Sequence, residues 1–346
     1  MQMNSKWRSV LSFAGVGAAC VGISAIFIIL TGGNALRAFA GFFQGIVGSA
    51  YNLAEVLVKA TPLILAGLGV SVAFKSGFTN IGAEGQLYMG AIASTFIAMY
   101  LPGLPAVVMI PLCMAGAFIL GGLWAFIPGV LKAKFGISEV INTIMFNYIA
   151  INLLGVLVQT VLKDPNGYFP MSPTLPDASA LPVLVRSTRL HAGIFIAIAG
   201  AVLIYLLIYK TTAGFRMRAV GVNRRACSCA GISAGRNLML SALISGGMAG
   251  IAGFSEVAGL HHKLLEGISP DYGYLAIIVA LLGRKHPVGV VAAAVGIAAL
   301  QVGSLSMQRT ANVPSSIASI IMGTLVVLIL ARKTIFRKLL GKEEGI

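Results

Sequence analysis

Charge is what this sequence has least of: 10% of its 346 residues are Asp, Glu, Lys or Arg. A soluble domain carries about 25%, so a chain this long with so few charges cannot cover a water-facing surface. Acid is scarcer than base, 10 residues against 25, for a formal net charge of +15. Cysteine is rare: Cys20 and Cys113 lie in apolar runs, and Cys227 and Cys229 lie in a basic loop with no further Cys or His at zinc spacing. That excludes a disulfide framework and a zinc site. There is no G-x-x-x-x-G-K-[ST] phosphate loop, because the single Gly-Lys pair, Gly341-Lys342, runs into Glu343. The chain therefore does not hydrolyse ATP by itself. Neither a metal cluster nor a dinucleotide fingerprint occurs, so no cofactor is expected and the chain does not read as an enzyme.

Long apolar runs fill the space that charge leaves. Hydrophobic residues make up 58% of the chain and glycine accounts for 42 residues, a composition that suits helices packed closely in lipid. The expected spans are 10–31, 53–74, 82–101, 104–131, 139–162, 191–209, 237–258, 270–283, 288–306 and 314–331. The first run, after Lys6 and Arg8, is too long for a signal-peptide core of about 7–15 residues. The eighth is too short: its 14 residues cover about 21 Å, against about 30 Å of hydrocarbon. It is a half-helix or a re-entrant segment. The glycine-rich stretch 32–52 is expected at the membrane interface.

The chain thus reads as one all-α integral membrane domain, 1–346, with about ten transmembrane segments and both termini cytoplasmic. With that orientation 18 of the 25 Lys and Arg residues fall inside, as the positive-inside rule requires. The cations lie between apolar runs, so they set topology and meet anionic lipid headgroups. With no aromatic-basic platform among them, nucleic acid is not a partner. Residues 163–190, with five prolines, are expected as an external loop. Residues 210–236 form the longest internal loop, with a short helix expected around 221–231.

Polar residues inside apolar runs are costly in lipid and tend to face a cavity or a partner. The densest cluster is Ser76-Gly77-Phe78-Thr79-Asn80-Ile81-Gly82-Ala83-Glu84-Gly85-Gln86. It is either a broken helix lining a water-filled path or a cytoplasmic turn and helix start with Glu84 at the N-terminal dipole. A second cluster, Ser138-Glu139-Val140-Ile141-Asn142-Thr143 with Asn147 beyond, places two amides near one helix face, as path-lining groups or as interhelical glue. Asn80, Glu84, Gln86, Asn142 and Asn147 are the candidate substrate-pathway residues. Glu55 and Lys59 are spaced to pair with each other, and Asp271 is placed to cap the short segment.

Four segments resemble a known family. Gly77-Phe78-Thr79-Asn80-Ile81-Gly82-Ala83-Glu84-Gly85-Gln86-Leu87 resembles a hallmark of permease subunits from ABC importers of nucleosides and simple sugars, within the branched-chain amino acid and ribose permease family. Ile137–Tyr148 is similar to the nucleoside-type fifth span, Gly214–Ile232 to the internal coupling loop and Tyr272–Gly283 to the late short segment. Where the family has a small or amide residue after that segment, this chain has Arg284-Lys285-His286 before Pro287, which puts extra charge at the inner mouth.

The resemblance implies the cytoplasmic (inner) membrane of a bacterial cell and three kinds of partner: a separate ABC ATPase, a second permease (identical or homologous) and an extracytoplasmic solute-binding protein. It also implies ATPase coupling through the internal loop, with Arg218, Gly221, Asn223, Arg224 and Gly231 as candidates. The solute would be a nucleoside or simple sugar. The alternatives are a vitamin such as riboflavin within the same family, or a secondary transporter. The latter would need buried coupling charges, for which Glu55, Lys59, Glu84, Glu139 and Glu256 are the candidates.

Overall fold

The computed structural model describes residues 15, 21–30, 32–311, 320, 323–324 and 327. Among these the regular structure is helical, and the extended contacts are two isolated bridges, Met171 with Leu265 and Val183 with His191. The helices are α1 (Val21–Leu30), α2 (Ala35–Val47), α3 (Ala50–Lys75), α4 (Ala83–Tyr100), α5 (Ala106–Phe135) and α6 (Glu139–Gln159). They continue with α7 (Gly193–Lys210), α8 (Thr212–Val222), α9 (Arg224–Cys229), α10 (Ala234–Glu256), α11 (Tyr272–Leu282) and α12 (Pro287–Ala311). A π-helical turn, Val257–His261, extends α10.

Among the described residues six helices are long and apolar enough to cross a membrane: α3, α5, α6, α7, α10 with its π turn, and α12. Each matches an expected span. The expected third span is α4, whose first turn holds Glu84 and Gln86; it is not among the six and is buried on nearly every side. The expected eighth is α11, with 11 residues, or about 16 Å at the helical rise, short as anticipated. Of the expected first span the described part is α1, while the tenth lies almost wholly outside the described residues. The stretch 32–52 holds a helix, α2, and the internal loop holds two, α9 within the expected 221–231 and α8 before it. The reason is capping: Thr211 accepts from the Gly214 amide at 3.1 Å and Asn223 from the Ala226 amide at 3.1 Å, so each starts its own helix.

The chain divides into two compact units, residues 1–56 with 297–346, and residues 57–296. In the first, Gly41 and Gly45 of α2 lie against Thr310 and Ser306 of α12, and Ile28, Ala38 and Met307 form a small core. In the second, α4, α5 and α10 pack backbone against backbone. A Cβ on Gly90 would fall on Gly250, one on Gly121 on the Gly246 carbonyl, and one on Gly253 on the Leu87 carbonyl. Close approach through small residues is how helices associate in lipid, where apolar burial offers little drive. Burial separates inner from outer helices. The most apolar stretches of α3 and α10 are 89% and 72% buried, whereas those of α5, α6 and α7 are 28%, 28% and 33% buried and carry exposed Leu, Ile, Val and Phe. The densest polar cluster, residues 76–86, follows directly on the inner helix α3.

Candidate functional site

The site begins where α3 stops. After Lys75 the chain turns through Gly77, whose φ of +76° is in the left-handed region open to glycine. The Phe78 amide still bonds the Ala73 carbonyl at 3.0 Å, and residues 79–82 then run outside any helix to the N-terminus of α4. A helix start leaves amide groups without intrahelical partners, and in this apolar setting each needs another acceptor. Asn80 supplies one: its Oδ1 accepts from the Gly82 amide at 2.9 Å. Asn80 and Gln86 also exchange two amide hydrogen bonds, at 2.9 and 3.0 Å, and Asn80 Nδ2 donates to Ser245 Oγ of α10 at 2.8 Å.

Asn147 of α6 supplies the next. Its Oδ1 accepts from the Gly85 amide at 2.8 Å, while its Nδ2 donates to the Ile81 carbonyl at 3.0 Å and to the Tyr274 hydroxyl at 3.2 Å. Thr143 Oγ1 accepts from the Ile81 amide at 3.3 Å. Glu84 reaches the other way. Its Oε2 accepts from the Gly273 amide, in the first turn of α11, at 2.6 Å. A Cβ on Gly273 would fall on the Glu84 backbone, so the two helix starts touch. One carboxyl group thus faces two positive helix ends. Asp271, expected as the cap of α11, holds the cap position with φ +63° and makes no capping bond; Ser269 Oγ accepts from the Tyr272 amide at 3.0 Å, and Glu84 takes the next amide.

Four of the five candidate pathway residues meet here. Asn80, Glu84, Gln86 and Asn147 are buried, 0–2% exposed. Asn142 is apart from them: it is half-buried, and its Nδ2 has no partner. The two amides do not share an environment, since five residues on a helix rotate the side chain well away from the starting face. Sequence reasoning missed Ser245, Gly273 and Tyr274. No local signal marks them, because their roles come from residues more than 100 positions away in the chain.

The internal loop rests on the same turn. A Cβ on Gly221 of α8 would fall on the Lys75 carbonyl, and Arg224 Nη2 donates to the Gly77 carbonyl at 2.7 Å. Arg218 lies over the Tyr209 ring at 5.2 Å, Asn223 caps α9, and Gly231, with φ +75°, ends the loop before α10. Phe215 and Val222 are exposed on α8, at 58% and 88%. Gly231-Ile232-Ser233-Ala234-Gly235 has the spacing of a hydrolase nucleophile elbow, which sits between a strand and a helix. Here it joins two helices, and Ser233 Oγ accepts from the Arg236 amide, so it is a helix cap.

Residues 52–330 match the family model described as the branched-chain amino acid transport system permease component. The chain is 38% identical to the guanosine ABC transporter permease protein NupP of Bacillus subtilis, over 92% of each chain. It is 34% identical to the glucose ABC transporter permease protein TsgB13 of Haloferax volcanii, over 92% of this chain and 86% of that one. It is 33% identical to the nucleoside ABC transporter permease protein NupB of Lactococcus lactis, over 99% of this chain and 96% of that one. With the family model spanning most of its length and helices long enough to cross a membrane several times, the chain belongs to the branched-chain amino acid transport system permease family and is a multi-pass membrane permease component.

Proposed function

We propose that this chain is the translocating subunit of an ABC importer for nucleosides. The observation that carries the cargo assignment is the 38% identity to a guanosine permease over nearly the whole of both chains. The absence of a phosphate loop from the sequence makes a separate ATPase the source of energy. An extracytoplasmic binding protein and a second permease, identical or homologous, complete the complex. The whole chain acts as one permease domain, with 163–190 outside and 210–236 on the ATPase side.

In this reading Arg218, Gly221, Asn223, Arg224 and Gly231 form the coupling surface, and the turn at Gly77 passes its movement to the Asn80 cluster. Asn80, Gln86 and Asn147 set the shape of the route by holding the starts of α4 and α11 together. Asn142 Nδ2 is buried without a partner, a donor that a passing hydroxyl or ring nitrogen would satisfy once the route opens. The test is uptake of radiolabelled guanosine, adenosine, uridine and glucose by the complex in liposomes. Saturable, ATP-dependent guanosine uptake that unlabelled nucleosides compete for is expected. Glucose uptake without nucleoside uptake overturns the cargo assignment.

A further inference from the structure

The segment Arg284-Lys285-His286 forms the turn between α11 and α12. Arg284 and Lys285 both hold left-handed backbone, φ +52° and +58°, a strained choice for residues with side chains. The turn is held by Arg284 N–H to Leu281 at 3.0 Å, Lys285 N–H to Ala280 at 2.8 Å and His286 N–H to Gly283 at 3.0 Å. Its effect is to set His286 against two rings of α7, Tyr209 at 5.3 Å and Tyr205 at 6.0 Å. Lys75 donates to the Tyr209 hydroxyl at 2.9 Å and lies 4.9 Å from the ring centroid, Arg218 lies 5.2 Å from the same centroid, and Lys285 lies 5.8 Å from that of Phe74.

Three fixed cations and an imidazole thus gather among aromatic rings. Among the described residues no carboxyl group pairs with any of them; Glu139 and Glu256 are held elsewhere, by Lys132 and His261. The Nε of Arg218 is buried without an acceptor. Gathered charge of one sign is unfavourable in a half-buried setting, and a buried donor lacking an acceptor costs more. A bound anion removes both penalties. The rings add a face for a flat ligand: Tyr205 is 37% exposed, and a base gains binding energy by stacking on an aromatic side chain.

We propose that this cluster is a binding site for a nucleoside monophosphate, with the phosphate on Lys75, Arg218 and Lys285 and the base against Tyr205 and His286. The inference rests on the proposed function, which puts this end of α3 and α7 in the cytoplasm. The ligand is then what phosphorylation makes of the cargo. Because the phosphate contacts join α3, the coupling helix α8 and the 283–286 turn, occupancy ties these elements together and slows import when the phosphorylated product accumulates.

The test uses the full chain in phosphatidylcholine nanodiscs, without the ATPase, and equilibrium dialysis of radiolabelled guanosine monophosphate. Saturable binding is expected, with guanosine and inorganic phosphate each weaker by about tenfold or more. K285Q combined with H286A weakens guanosine monophosphate by about tenfold, and the conservative K285R restores it beside wild-type His286. Equal binding of nucleoside and monophosphate, or of wild type and the double variant, overturns the proposal. So does loss of binding when phosphatidylglycerol replaces phosphatidylcholine, since a lipid headgroup would then hold the site. Guanosine uptake by the assembled complex, measured in parallel, separates the two readings. Uptake without monophosphate binding removes this site alone, and binding without nucleoside uptake removes the cargo assignment alone.

Discussion

Two amides of α6, five residues apart, make opposite demands on the fold. Asn147 satisfies a buried amide, a buried carbonyl and a tyrosine hydroxyl at once. Replacing it with leucine leaves the Gly85 N–H and the Ile81 carbonyl unmatched, at about 2–4 kcal/mol together. N147L should therefore lower the thermal unfolding midpoint in detergent and the yield of folded protein. Asn142 has an unpartnered Nδ2, so N142L should stay within about 0.5 kcal/mol of wild type and slow uptake all the same. If N142L is destabilised as much as N147L, Asn142 is interhelical glue rather than a lining of the route. Glu84 presents a third case. E84Q keeps an acceptor for the Gly273 amide and should stay close to wild type in stability. E84L loses the acceptor and should be clearly less stable; equal unfolding midpoints for the two variants would show that the hydrogen bond contributes nothing. The polarity of these residues was legible in the sequence. Their arrangement was not, because the partners Ser245, Gly273 and Tyr274 are ordinary residues in their own segments and gain meaning through packing.

Helices were easier to read than their contacts. Runs of apolar residues located α3, α5, α6, α7, α10 and α12 to within a few residues, and length alone marked α11 as too short to span. The second helix of the internal loop was hidden because α8 is neither strongly apolar nor periodic; it depends on the cap at Thr211 and on burial of Gly214, Met217 and Val220. At this scale the decisive contact is α8 against the Gly77 turn. Any side chain at Gly221 meets the Lys75 carbonyl, so G221A should push α8 away from the turn that leads to Asn80. Stimulation of ATPase activity by cargo-loaded binding protein in liposomes should fall sharply, with basal hydrolysis retained. R224A should have a smaller effect, since Arg224 is exposed and gives up one hydrogen bond to the Gly77 carbonyl. Full stimulation in both variants would sever the loop from coupling.

Over the whole molecule, the remaining question is which way the chain faces, and charge gives the argument. Lys75 ends α3, Lys132 and Lys134 end α5, Lys210 ends α7, Arg236 starts α10, and Arg284 and Lys285 follow α11. Contacts tie several of these ends together: Lys75 with Tyr209, Arg218 with Tyr209, Arg224 with Gly77, and Tyr209 with His286. Basic segments beside spans stay on the cytoplasmic side, so this end of the bundle should be inside. The loop 163–190 joins the opposite end, pairing with 258–264 through Leu181 N–H to Ala258, Leu175 N–H to His262 and Ser172 N–H to Leu264. In a background stripped of other cysteines, Y168C, at a fully exposed position, should react with a membrane-impermeant thiol reagent on intact cells. Cys229, exposed in α9, should react only after the membrane is opened. Labelling of Cys229 on intact cells would invert the orientation and detach the coupling loop from any cytoplasmic ATPase. A cysteine placed within 332–346 completes the test, because ten crossings protect it on intact cells and an odd number exposes it.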